Sequence, residues 1–96
     1  MPSLSESDIR QRLGSLPGWT FEANALRRQF TCRTFPDAVA FVTRLAFAAE
    51  AKDHHPDLQV SYKRVTVIWS THTDGGVTEK DFAGARESDT ISASFT

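Results

Sequence analysis

All three histidines of the chain fall between Glu50 and Asp81. Their setting is Glu50, three residues, His54-His55-Pro56, an aromatic at Tyr62, then His72 and an acid at Asp81. An unperturbed imidazole titrates near neutral pH, so three that converge make a site suited to proton transfer. His54 and His55 fall where the last carbonyls of a helix point outward, flanked by Asp53 and Asp57. That partial negative charge and the two acids favour a charged ring, the form that serves as a general acid. Any one of these histidines is more often a surface residue or a satisfied helix end. Three at a defined spacing shift the balance toward chemistry.

Other chemistries fit less well. Neutral imidazoles ligate zinc, but adjacent histidines point in different directions, no His-x-x-x-His spacing occurs and no cysteine lies nearby. Acid–base work is therefore preferred to a metal site. Cys32, between Thr31 and Arg33, reads as a small packing residue rather than a nucleophile. No phosphate loop or dinucleotide fingerprint is present, so no nucleotide cofactor is expected. Asp81 reads first as the partner of Thr78 in a helix capping box. Glu50 stands one helical turn before His54, where it can hydrogen-bond that imidazole or equally stand as a solvated helix residue. Trp69 and Phe82 read as core residues, and Arg27, Arg28, Lys63 and Arg64 as a solvated face or turn.

The elements that must hold these groups follow from periodicity and punctuation. Ser5 to Leu16 reads as a short helix, capped by Ser5 or Ser7, with Ile9, Leu13 and Leu16 at helical spacing and Pro17-Gly18 as its stop. Trp19–Glu22 and Ala25–Thr31 read as strands around an Ala23-Asn24 turn, because Asn tolerates positive φ. From Pro36 to about Lys52, Ala38, Phe41, Val42, Leu45, Ala46 and Ala49 give one apolar stripe. Pro36 suits a first helical turn, Asp37 complements the helix dipole, and Pro56 ends any continuation. Leu58, Val60 and Tyr62 alternate with polar residues, and Lys63-Arg64 marks a turn. A strand then runs from Val65 to His72, broken by Asp74-Gly75-Gly76, before Thr78 opens a last helix. The order helix, strand, strand, helix, strand, strand, helix predicts an α+β fold, a four-stranded antiparallel sheet with three helices on one face.

Ninety-six residues make one domain, here taken as residues 1–96, with a modest core that an oligomer would supplement. A hydrophobic content of 40% argues for an ordered globule. The formal net charge of −1 lacks the field that nucleic-acid binders and membrane-surface proteins usually carry. A lone cysteine, no transmembrane stretch and no leader-like start give a cytoplasmic address as the default expectation.

The arrangement Glu50-x-x-x-His54-His55-Pro56, Tyr62, His72, Asp81 resembles the signature of the pterin-4a-carbinolamine dehydratases. Asp53-His54-His55-Pro56, Ser70-Thr71-His72, Trp19 and the Phe41–Glu50 helix are similar too, so the resemblance runs from about Trp19 to Ala85. It implies the same α+β fold, assembled into homodimers or homotetramers. It also implies loss of water from a 4a-hydroxy-tetrahydropterin to give quinonoid dihydropterin, without metal or redox cofactor, in support of a pterin-dependent hydroxylase pathway. By position His54, His55 and His72 correspond to the family's site histidines, with Asp53, Ser70, Thr71 and Thr73 lining the pterin pocket and Glu50 and Asp81 in support. His54 and His72 are expected to form the proton-transfer pair and His55 to position substrate. Thr73 stands where many relatives carry an acid, and the 83–88 segment is poorer in apolar residues than the usual last helix. The alternative is a binding protein, since some relatives partner homeodomain transcription factors or resemble assembly factors; a pure scaffold needs none of the three histidines.

Overall fold

The computed structural model describes residues 3–96. Helix α1 spans Glu6–Arg12, with the Ser5 hydroxyl accepting the Asp8 N–H at 3.2 Å and Ile9 buried. It is shorter than the expected 5–16 run, because the chain tightens into a 3₁₀ turn at Leu13–Ser15. Strands β1 (Thr20–Glu22) and β2 (Ala25–Thr31) follow. Ala23 and Asn24 both adopt positive φ (49° and 61°), as a two-residue hairpin turn matched to strand twist requires.

Helix α2 spans Phe35–Ala51. Thr34 caps it by accepting the Asp37 N–H at 3.1 Å. Its buried stripe is Ala38, Phe41, Leu45 and Ala49; Ala46, expected on that stripe, lies outside it and is exposed. Strands β3 (Asp57–Ser61) and β4 (Arg64–Trp69) form a second hairpin. Its turn is Tyr62-Lys63 rather than Lys63-Arg64: Tyr62 leaves the strand with φ +54°, and Arg64 already pairs with Ser61. Helix α3 spans Glu79–Ser92 behind the Thr78 cap.

The sheet is antiparallel throughout, in the order β1-β2-β4-β3, and the chain runs α-β-β-α-β-β-α as expected. Register sets Leu26 opposite Trp69 and Phe30 opposite Val65, so these side chains share the helix-covered face with Val67. Phe41, Leu45, Phe82 and Ala85 complete the core above them. Each fully buried large side chain contributes roughly 1.5–3 kcal/mol of hydrophobic stabilisation. Arg27, Gln29, Thr66, Gln59 and Asp57 occupy the opposite face. Arg28, expected in solvent, ties the two layers: its guanidinium donates to Asp89 of α3 at 2.8 Å, and the same carboxylate oxygen accepts the Trp19 indole N–H at 2.9 Å.

Candidate active site

The end of α2 aims the two adjacent histidines. Asp53 takes φ +50°, its N–H bonding back to the Glu50 carbonyl at 3.1 Å, while the His54 N–H bonds to the Ala49 carbonyl at 3.2 Å. This 5→2 and 6→1 pair is a Schellman motif with Asp53 in its left-handed position. The chain therefore turns sharply before His54, and helical spacing no longer governs which side chains meet. Glu50 consequently hydrogen-bonds His55 (Oε1 to Nε2, 2.7 Å) rather than His54, the partner that i, i+4 spacing allowed. That pair is exposed.

His54 turns inward instead. Its Nε2 lies 2.7 Å from Oδ1 of Asp81, whose side chain is fully buried. The other oxygen, Oδ2, accepts the Thr78 backbone N–H at 2.9 Å and the Thr71 hydroxyl at 2.8 Å. The Thr71 and Thr78 hydroxyls are 2.8 Å apart, and the Thr78 hydroxyl also accepts the Lys80 N–H at 3.2 Å. Asp81 thus closes the expected capping box with one oxygen and holds a histidine with the other. One acid serves helix and site.

The His54 ring also stacks on Trp69, with centroids 5.2 Å apart and planes inclined by 27°. Trp69 is fixed in turn by its indole N–H, donated to Ser88 at 3.1 Å. Over this floor, between the C-terminal half of α2 and the start of α3, lies a largely apolar cleft of about 150 Å³ lined by His54, Trp69, Ala48, Gly84, Lys52 and Lys80, among others. α3 comes very close here: a Cβ on Gly84 would lie 2.6 Å from two indole carbons of Trp69. Periodicity marked Trp69 as core, and it is buried; its second role as a platform for His54 had no signal beyond its place just before Ser70-Thr71-His72.

The remaining candidates are distributed around this centre. β4 ends at Trp69, not His72. Ser70 is half-buried, Thr71 is buried and forms an isolated bridge with Gly76, and His72 lies in a 3₁₀ turn, His72–Asp74. The strand pattern stops because Thr71 commits its backbone to Gly76 and its hydroxyl to Asp81. His72 and Thr73 are exposed on that turn, which the Asn24 side chain secures by donating to the Gly75 carbonyl at 2.8 Å. His55 lines a second, shallower groove between α2 and β3 with Glu50, Phe47 and Leu58, on the other side of Ala49 from the His54 cleft. The structure joins His54, Thr71 and Asp81 directly, pairs His55 with Glu50, and sets Asp53 in the turn between helix and histidines. Among the described residues no three His, Cys, Asp or Glu side chains cluster as metal ligands would.

The chain is thus a small α+β protein on an α-β-β-α-β-β-α scaffold, with a histidine hydrogen-bonded to a buried carboxylate at its cleft. Comparison with known proteins narrows the class. The sequence profile described as Pterin 4 alpha carbinolamine dehydratase matches residues 2–91, and the chain belongs to that family. A relative in Chloroflexus aurantiacus, provisionally named a pterin-4-alpha-carbinolamine dehydratase, is 50% identical over 91 residues, covering 95% of this chain and 98% of its own. One in Sulfolobus acidocaldarius with the same provisional name is 46% identical over 84 residues, covering 88% and 92%. The crystal structure of a transcriptional coactivator/pterin dehydratase from Brucella melitensis superposes with a TM-score of 0.88 at 37% identity, over 93% of this chain and 97% of that one. A pterin dehydratase-like protein described as a RuBisCO assembly factor of the alpha-carboxysome shares the fold at a TM-score of 0.62 and 22% identity, over 76% and 84%.

Proposed function

We propose that the protein is a hydro-lyase that removes water from a 4a-hydroxy-tetrahydropterin to give quinonoid dihydropterin. The observation that carries this reading is the His54–Asp81 pair at 2.7 Å on the floor of the cleft. The reaction needs a base for the proton on N5 and an acid for the departing 4a-hydroxyl, and it changes no oxidation state overall. His54 and His72 form the proton-transfer pair, and His55, held by Glu50, positions the substrate. Asp53, Ser70, Thr71 and Thr73 contribute polar contacts around the pterin. The protein works without metal or redox cofactor, as a homodimer or homotetramer in the cytoplasm, and serves recycling of the pterin oxidised by a hydroxylase.

Chemically generated 4a-hydroxy-tetrahydropterin, followed spectroscopically, tests this. The wild type is expected to exceed the spontaneous dehydration rate. Positioned acid–base groups contribute on the order of 10²–10⁴ in rate, so His54→Ala or His72→Ala should each lower kcat within that range. The double variant should approach the uncatalysed rate while keeping its circular dichroism. A folded double variant with near-normal kcat refutes the assignment. The coactivator in the description of the Brucella protein favours a second reading, a binding protein on this fold. That reading requires no turnover from the wild type.

A further inference from the structure

We propose that Asp81 is a positioning residue that locks His54 as its Nε2–H tautomer, making Nδ1 the ring atom that takes the proton from N5 of the substrate. The inference deepens the dehydratase reading and rests on it for the identity of the substrate, but the lock itself follows from the polar network alone.

Hydrogen-bond direction around Asp81 is set from outside. The Thr78 backbone N–H can only donate, and it points at Oδ2 from 2.9 Å. The Thr71 hydroxyl gives its one proton to the same oxygen, so the proton between the two threonines must come from Thr78. Two donors fix Oδ2 as an acceptor. With Asp81 acting as a carboxylate, Oδ1 is an acceptor too, and His54 then supplies the proton from Nε2. A neutral imidazole carries a single N–H, and the other nitrogen, Nδ1, then holds the free lone pair. Trp69 lies stacked beneath the ring, and the contact with Asp81 fixes which nitrogen faces the acid.

The N5–H bond breaks as its proton moves to Nδ1 of His54, and the N5 electron pair forms the C4a=N5 double bond. The C4a–O bond breaks with its electrons on oxygen, which takes a proton from His72 and leaves as water. The imidazolium formed on His54 stays paired with Asp81 until Nδ1 releases its proton to solvent, and His72 regains one. One water leaves, and nothing is oxidised or reduced.

The isosteric variant Asp81→Asn isolates the effect. The fixed Thr78 N–H demands an acceptor, so the amide oxygen must occupy the Oδ2 position and the NH₂ must face His54. A donor there requires a bare Nε2, which moves the imidazole proton to Nδ1. The variant should therefore flip the tautomer and remove the base, with the ring still in place.

Nitrogen-15 NMR of the histidine rings, recorded above their titration, reads the tautomer without any substrate. The wild type should show a bare Nδ1 on His54, and Asp81→Asn a bare Nε2. In the dehydration assay the variant should lose at least about 10²-fold in kcat with KM little changed, because Asp81 itself makes no contact with substrate. A wild-type His54 protonated on Nδ1 overturns the lock, and this result needs no variant to fold. A flipped tautomer with undiminished kcat overturns the role of Nδ1. A wild type that shows the lock but no turnover refutes the dehydratase instead, so the two failures are distinguishable.

Discussion

Gly84→Ala should destabilise the protein, although glycine to alanine inside a helix ordinarily gains up to about 1 kcal/mol. The new Cβ would sit 2.6 Å from Cδ2 and Cε2 of Trp69 and 2.8 Å from Cζ2. Comfortable carbon contacts begin near 3.5 Å, so about an ångström must be found. The indole can yield only by straining its hydrogen bond to Ser88, worth roughly 0.5–1.5 kcal/mol. Otherwise α3 must lift, and Asp81 lies one turn away with His54 attached. Overpacking of this kind typically costs 1–3 kcal/mol, so after the helix gain a net loss of about 1–3 kcal/mol is expected once the Ser88 bond is included. For a domain of this size each kilocalorie lowers the melting temperature by roughly 4–8 °C. Urea unfolding followed by tryptophan fluorescence measures it. Gly14→Ala is the control, since nothing lies within 4 Å of a Cβ there, and it should be neutral or slightly stabilising. If Gly84→Ala is as stable as the control, the close approach of α3 to Trp69 is not a constraint and the reasoning fails.

Three further outcomes are expected. His55→Ala and Glu50→Gln should raise KM more than they lower kcat, because the exposed His55–Glu50 pair at 2.7 Å is assigned to binding; an equal fall in kcat would place His55 in proton transfer. The chain should be at least dimeric by light scattering at micromolar concentration. Among the described residues the exposed large apolar side chains are Phe35, Val39 and Phe47 of α2 with Val60 and Tyr62; Phe47→Asp should weaken association, and a wild-type monomer of 10.7 kDa would refute it. Burial, reinforced by Asp37 and opposed by Arg33, raises the Cys32 thiol above its usual range. In the native protein it should resist alkylation at neutral pH until the chain unfolds, and any stability tied to the thiol should fall only as pH rises past its ordinary value; rapid native labelling would contradict this.

Much of this architecture was legible because local and global signals agreed. Ala38, Phe41, Leu45 and Ala49 carry the period that buries α2, and Thr78 with Asp81 marks the start of α3 by residue type and spacing alone. The misreadings fall where a backbone dihedral departs from what residue type suggests. Tyr62 continues an alternating strand pattern, yet turns with φ +54°. Asp53 at φ +50° moves the partner of Glu50 from His54 to His55. Local pattern places Arg28 in solvent because its partner, Asp89, is 61 residues away. The same limit hid the contact between His54 and Asp81, 27 residues apart: both residues were singled out, but only the fold brings them together.

The double duty of Asp81 bears on how chains of this kind can diverge. One oxygen satisfies the first turn of α3 and the other holds His54, so a descendant that abandoned chemistry would still need the acid, with Thr78, to start its helix. His54 has no such second obligation beyond its stack on Trp69. Drift away from catalysis should therefore erase the imidazole first and leave the carboxylate behind. The presence of an acid at this position says little about whether a chain on this fold turns over a pterin, whereas a histidine aimed at that acid says a good deal.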